Sequence, residues 1–214
     1  SYFLPEKGLS YDGYVEALKK GSSYVSDGYS HIIRFEANGL SAGADDSRLN
    51  AKAKQTLTIK ASVAALLPAK QDARGAAIAQ SAFTEQPYWH LERARIGTSR
   101  KVPVELIVNG YPVDTANIEA DGAWKDISFN YAPTRSCWMA LRIYPSCHTN
   151  PIFVIVDGKP IHERKSAEWC RQAVDQCWKM KRGQIRSNEQ AAAEKAYDEA
   201  RHTYDAIIKD SEPN

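Results

Sequence analysis

Five dipeptides limit what this chain can fold into: Asp27-Gly28, Asn38-Gly39, Asn109-Gly110, Asp121-Gly122 and Asp157-Gly158. Each joins a residue that tolerates left-handed backbone to one with no Cβ, which is the chemistry of tight turns between antiparallel strands. The segments between them carry strand periodicity. Leu57, Ile59, Ala61, Val63 and Ala65 alternate with Thr58, Lys60, Ser62 and Ala64. Ile127, Phe129 and Tyr131 alternate with Asp126, Ser128 and Asn130 in the same way. A period of two is the mark of a half-buried strand. Residues 22–39 read as strand, turn, strand, residues 102–108 and 113–120 as a hairpin, and residues 89–96 as a strand with Glu92 and Arg93 outward. Residues 138–143 and 152–156 are apolar on both phases, so both faces should be covered, as in central strands. Residues 41–50 read as a polar loop and residues 71–86 as an Ala-rich connection without a period.

Two regions break the pattern. Residues 11–20 form a short helix stopped by Gly21. After residue 162 the period becomes helical. Ser166 is placed to cap a helix carrying Trp169, Cys170, Ala173, Val174, Cys177 and Trp178 on one side. Ser187 and Gln190 match a capping box for a second helix, with Ala193, Ala196, Tyr197, Ala200, Tyr204, Ile207 and Ile208 in one stripe. The expected fold is mainly β with α: an antiparallel, Ig-like β-sandwich over residues 31–162 and a helical extension over residues 163–214.

Charge and motifs exclude several functions. The 28 basic and 26 acidic residues leave a net charge of +2 and are interspersed, so no basic stripe awaits nucleic acid. The densest basic cluster, residues 179–186, is a helix terminus. No stretch is long and apolar enough to span a membrane. The first residues lack a signal-peptide layout and an initiating Met, as expected of a mature or clipped fragment. The four cysteines form no C-x-x-C. Cys170 and Cys177 are two helical turns apart, roughly 10 Å along the axis, too far for a mutual disulfide. Pairing of either with Cys137 or Cys147 remains open.

None of the five histidines has metal-ligand spacing, and Asp45-Asp46 lacks a calcium ladder. There is no phosphate-binding glycine loop and no nucleophile elbow. His148 sits between Pro145 and Pro151 in a rigid loop that either only joins two strands or holds a ligand. In an extended segment Cys147 and His148 point to opposite sides, so they do not form a nucleophile–base pair. Trp89, Trp124 and Trp138 are either core or a sugar platform. The residues contain no complete catalytic set.

Two stretches resemble a known family. Gly21, Tyr24, Val25, Ser26, Asp27 and Gly28 match the G-R-x-Y/F-V-[ST]-[ND]-G stretch that closes the barrel of CehA/McbA-type metallohydrolases, in the polymerase-and-histidinol-phosphatase (PHP) superfamily; Ser22 stands where Arg is usual. VPVELIVNGYPV, WMALRIYPSCHTNPIFVIVDGKPI and SAEWCRQAVDQCW look like the β domain and helical tail that follow. The resemblance implies that residues 1–30 are the terminal helix and strand of an upstream α/β barrel. It implies two or three divalent metal ions held in that barrel and none in this segment. The upstream catalytic domain is then the partner, facing apolar surface on Tyr2, Phe3, Leu4, Val15 and Leu18.

Asp27 and His31 are the polar groups nearest the composite site. His148, Thr149, Asn150 and Arg142 are the candidate ligand contacts. Two functions follow: an accessory C-terminal part of a metal-dependent, phosphoesterase-like hydrolase, or a free-standing β-sandwich module binding carbohydrate or a protein. A purely structural envelope domain is a third. A homo-oligomer fits any of them, and the expected location is extracytoplasmic, periplasmic or envelope-associated.

Overall fold

The computed structural model describes residues 1–3 and 8–211, so Leu4 lies outside the described residues. The chain divides into two compact units, residues 1–159 and 160–214. The first contains β1 (Tyr2–Phe3), α1 (Tyr11–Lys20), β2 (Ser23–Ser26), β3 (Ser30–Ala37), β4 (Leu40–Ser41), β5 (Arg48–Ala51), β6 (Leu57–Ala65), α2 (Ala73–Gln80), β7 (Lys101–Val108), β8 (Tyr111–Glu119), β9 (Lys125–Tyr131), β10 (Cys137–Ile143), β11 (Cys147–Thr149) and β12 (Ile152–Val156). These make an eight-stranded and a four-stranded sheet, mainly antiparallel, as the turn dipeptides and alternation predict. Asn109 and Gly110 both take positive φ, 49° and 92°, giving the mirror-image turn whose twist suits a hairpin.

In the larger sheet β10 is central. β7 pairs along one edge, and β11 and β12 run end to end along the other. Between the pairs Arg142↔His148 and Met139↔Ile152, three steps on β10 span four on its partner, so the register shifts at Asn150-Pro151. β2 and β1 extend the sheet beyond β11, and β5 runs parallel to β12. The smaller sheet has the order β4-β3-β6-β9. Ile59, Ala61 and Val63 of β6 and Met139, Leu141 and Ile143 of β10 belong to one buried core with Val102, Val104 and Leu106 of β7. Burying an aliphatic side chain of this size is worth about 1.5–3 kcal/mol, so the alternation that selects strands also selects the sandwich.

Several local expectations are corrected. Residues 89–96 form no strand; Leu91–Ala94 is a 3-10 turn. Glu92, expected outward, is 3% exposed because Arg95 follows it at i+3 and meets it inside. Residues 41–50 include a 3-10 turn and the start of β5. The Ala-rich connection contains α2, whose N-cap Asp72 accepts from the Gly75 amide. α1 matches its expectation, with Ser10 Oγ accepting from the Gly13 amide and Gly21 at φ 80° closing it.

The second unit is an antiparallel helical hairpin, α3 (Arg164–Lys181) and α4 (Gln190–Asp210). Glu163, not Ser166, is the N-cap of α3, and Glu189 that of α4, neither with a side-chain cap bond. Pairs between and along the two helices hold the hairpin together. Arg164 donates to the Ile208 and Ser211 carbonyls at the end of α4, where helix carbonyls lack partners. Arg171 bridges Asp175 and Asp205, Arg201 bridges Asp175 and Asp198, and Trp178 packs on Tyr197. All four cysteines are free thiols.

Candidate functional site

The residues singled out by sequence go to different tasks. Thr149 and Asn150 are spent on backbone. Thr149 Oγ1 accepts from the Leu141 amide, and Asn150 Nδ2 donates to the Gly21 and Ser23 carbonyls and to Ser23 Oγ. His148 lies in β11 with its side chain exposed between buried Cys147 and Thr149, the opposition expected of an extended segment. Burial pushes the Cys147 thiol up to about 12, so it carries no thiolate at neutral pH. The ladder places Arg142 opposite both His148 and Glu105, and the guanidinium donates to Glu105 at 2.6 Å.

Asp27 and His31 also part company. Asp27 Oδ1 accepts from the Tyr29 amide and from Ser146 Oγ, and Oδ2 accepts from the Leu91 amide. One carboxylate thus ties three loops at one end of the sandwich: the β2–β3 turn, the β10–β11 turn and the Leu91–Ala94 turn. His31 Nδ1 meets the Tyr24 hydroxyl at 2.8 Å, with Tyr2 and Trp124 against its ring. Burial raises the Tyr24 hydroxyl to about 12, so it stays protonated at neutral pH.

The loop end tied by Asp27 is the best-built candidate site. Two arginines shape it from beneath. Arg95 makes a two-pronged contact with Glu92, at 2.7 and 2.8 Å, and reaches the Pro68 and Ser99 carbonyls. The side chains of Arg95 and Glu92 are 0% and 4% exposed. Gln71 donates to the second Glu92 oxygen, and Gly75 leaves room for this carboxylate, since a Cβ there would stand 2.9 Å from it. The Arg95 hydrogen bond, opposed by burial, holds the Glu92 carboxyl below its ordinary range. Arg93 donates to the carbonyls of Ser81, Ala82, Glu85 and Pro87, so its guanidinium is the centre around which residues 81–87 wind.

On this base stands a ladder of rings and cations. Phe83 lies over Arg93 at 5.4 Å and meets Tyr144 at 5.5 Å, and Tyr144 lies over Arg142 at 5.1 Å. Tyr29 packs on His90 at 5.1 Å, and Tyr88 on Trp89 at 6.0 Å. Phe83 is 61% and Trp89 68% exposed, so these rings are held in place but open to solvent. The three tryptophans expected as core or platform sit apart: Trp89 here, Trp124 beside His31, and Trp138 opposite Phe153.

Of the side chains at this loop end, the sequence singled out Arg142 and Asp27, each for a different role, and not Phe83, Tyr144 or Arg93. The available signal was four aromatic rings, counting histidine, in the aperiodic FTEQPYWH, a density that a plain connection does not need. Among the described residues no group of three or more His, Cys, Asp or Glu side chains is arranged to hold a metal ion. No helix among them is long and apolar enough to cross a membrane. No protein-family model, no curated protein and no solved structure matches the chain.

Glu92 generates a prediction. Glu92→Gln leaves Arg95 buried without its counter-charge and should cost roughly 3–5 kcal/mol, measured by urea denaturation at neutral pH. The folded Glu92 has a depressed pKa, so its stabilisation is complete above the ordinary carboxylate value of about 4. It is lost as pH falls through the lower folded value. The gap between wild type and Glu92→Gln should therefore narrow on acidification; a constant gap would contradict the buried pair.

Proposed function

We propose that the first unit is a binding module, and that it recognises a protein partner through the aromatic loop end. The observation that carries this reading is the Arg93–Phe83–Tyr144–Arg142 ladder. Tyr, Trp, Phe and Arg dominate the energetic centres of protein interfaces because they bury large area with few rotatable bonds. Here the ordering entropy is already spent within the free protein, since Arg93 and Asp27 hold the loops by seven hydrogen bonds. A surface that binds without first ordering itself keeps more of its contact energy as affinity.

A second reading, the accessory part of a metal-dependent hydrolase, is favoured by one observation. Of the apolar residues expected to face an upstream domain, Tyr2 and Leu18 are exposed while Phe3 and Val15 are half-buried, and Leu9 and Tyr11, 85% and 79% exposed on and beside α1, add apolar surface suited to such a partner. Its test is to add the polypeptide encoded upstream. Divalent-metal-dependent hydrolysis should then appear and be weakened by Tyr11→Ser with Leu18→Ser, whereas hydrolysis by this chain alone would sink it.

For the binding module, a photo-crosslinking residue in place of Phe83 should capture a discrete partner in the native cellular extract. The same group in place of Phe153, on the outer face of the larger sheet, should not. With the purified partner, Phe83→Ala and Tyr144→Ala should each weaken binding at least about tenfold, since interface anchors lose about 2 kcal/mol or more on truncation. Equal capture from both positions, or unchanged affinity in both variants, would refute the proposal.

A further inference from the structure

A second site lies away from the loop end, on the outer face of the four-stranded sheet. The inner positions of β6 fill the core, so Thr58, Lys60, Ser62 and Ala64 face outward. Register sets His31 beside Ala64 and Ile33 beside Ser62 on one side of β6, and Asp126 beside Ser62 on the other. Trp124 precedes Lys125, the partner of Val63, and its ring lies 6.3 Å from that of His31. Small residues therefore form the floor of a trough, and long ones its walls. Ser62 and Ala64 are only 7% and 6% exposed although no second layer of this unit's strands covers their face. An open groove of about 390 Å³ runs beside Ser62, between the Arg34, Glu36 and Lys60 side and the Asp126 and Ser128 side, within the size range of small-molecule sites.

The backbone is bent to make this wall. β3 shifts register between Ile33 and Glu36, and Arg34 takes φ 55°, a left-handed conformation uncommon for a residue with a Cβ. Without the bulge, alternation would send Arg34 into the core and Phe35 out. With it, Phe35 is buried and Arg34 exposed. Bulges that re-aim a side chain recur at binding sites. Among the described residues, no hydrogen bond or ion pair engages the side chains of Arg34, Glu36 or Lys60, so their donors and acceptors are available. Asp126 takes one hydrogen bond, from Ser62 Oγ to Oδ1, which leaves its second oxygen.

We infer that this trough binds a neutral oligosaccharide, with one pyranose ring stacked on Trp124 and its neighbour's hydroxyls bonded by Arg34, Glu36, Lys60 and Asp126. Two cations and two carboxylates interleave, so the wall offers paired donors and acceptors without a net field to select an ion. That is the complement of vicinal hydroxyls, each of which donates and accepts. A flat ring at one end suits the apolar C–H face of a sugar. His31, pinned by the Tyr24 hydroxyl and wedged against Tyr2, buttresses Trp124 from behind. The inference is independent of the protein-binding reading, because it uses none of the loop-end rings.

The test is a microarray of neutral gluco-, manno- and galacto-configured oligosaccharides beside sulfated and uronic ones, then calorimetry with the strongest neutral probe. The expected result is binding of a neutral probe that salt does not weaken. Trp124→Ala and Lys60→Ala should each reduce affinity at least tenfold, and Ser62→Trp, which fills the trough, should abolish it. Phe83→Ala should leave it unchanged. Because Ser62 is nearly buried, each variant's thermal midpoint is measured alongside; if Ser62→Trp fails to fold, Trp124→Ala and Lys60→Ala, both at exposed side chains, decide. No binding of any neutral probe, binding only of anionic probes, or binding insensitive to Trp124 and Lys60 would overturn the inference.

Discussion

The carboxylate of Asp27 is the interaction on which the candidate recognition surface depends. It accepts hydrogen bonds from Tyr29, Leu91 and Ser146, which lie in segments far apart in sequence. Hydrogen bonds to a charged acceptor are worth about 1.5–3 kcal/mol each, while fixing one loop residue costs about 1–2 kcal/mol of backbone entropy. A single side chain therefore offsets the ordering of only a few residues. The rest of the holding falls to the buried Glu92–Arg95 pair and to the Arg93 guanidinium, each of which turns loop carbonyls or a carboxylate inward. Ser146 continues the connection to Ser30 in the opposite sheet through their hydroxyls, so the loop end is fastened to both layers of the sandwich.

The two proposed sites use the same scaffold in different ways. At the loop end, polar groups are consumed inside and rings are left outside, which gives a rigid surface with little hydrogen-bonding capacity of its own. On the face of the smaller sheet the reverse holds: rings are few, and charged groups with unused donors and acceptors stand beside buried Ser62. The Asp27-Gly28 turn lies between them. Tyr29 packs on His90 at the loop end, while Tyr2, whose hydroxyl approaches Gly28, packs on Tyr24 and His31 at the edge of the trough.

Much of the scaffold was legible in the sequence, and the reason is that its signals are local. β6 follows its alternation to the residue, Leu57 to Ala65, because one face is core and the other is not. Asn109-Gly110 names its own turn, and Gly21 stops α1. The failures are non-local. Residues 89–96 look like a strand because Trp89, Leu91 and Ile96 are large and apolar, yet Glu92 and Arg95 neutralise each other in a turn. Phe83 and Tyr144 meet only because Asp27 and Arg93 bring their loops together, and no spacing within either loop foretells it. Arg34 was hidden for a different reason: a bulge breaks the alternation that would have assigned its side. His148 was conspicuous in sequence through its neighbours, and those neighbours proved to serve the backbone.

Amide hydrogen exchange of Asp27→Ala against wild type tests the central claim most directly. If the carboxylate organises the loop end, the variant should lose protection at Tyr29, Leu91 and the Arg93-bound loop, while β6, β9 and β10 keep theirs. Unchanged protection at Leu91, or loss spread evenly through the sandwich core, would contradict that role for Asp27.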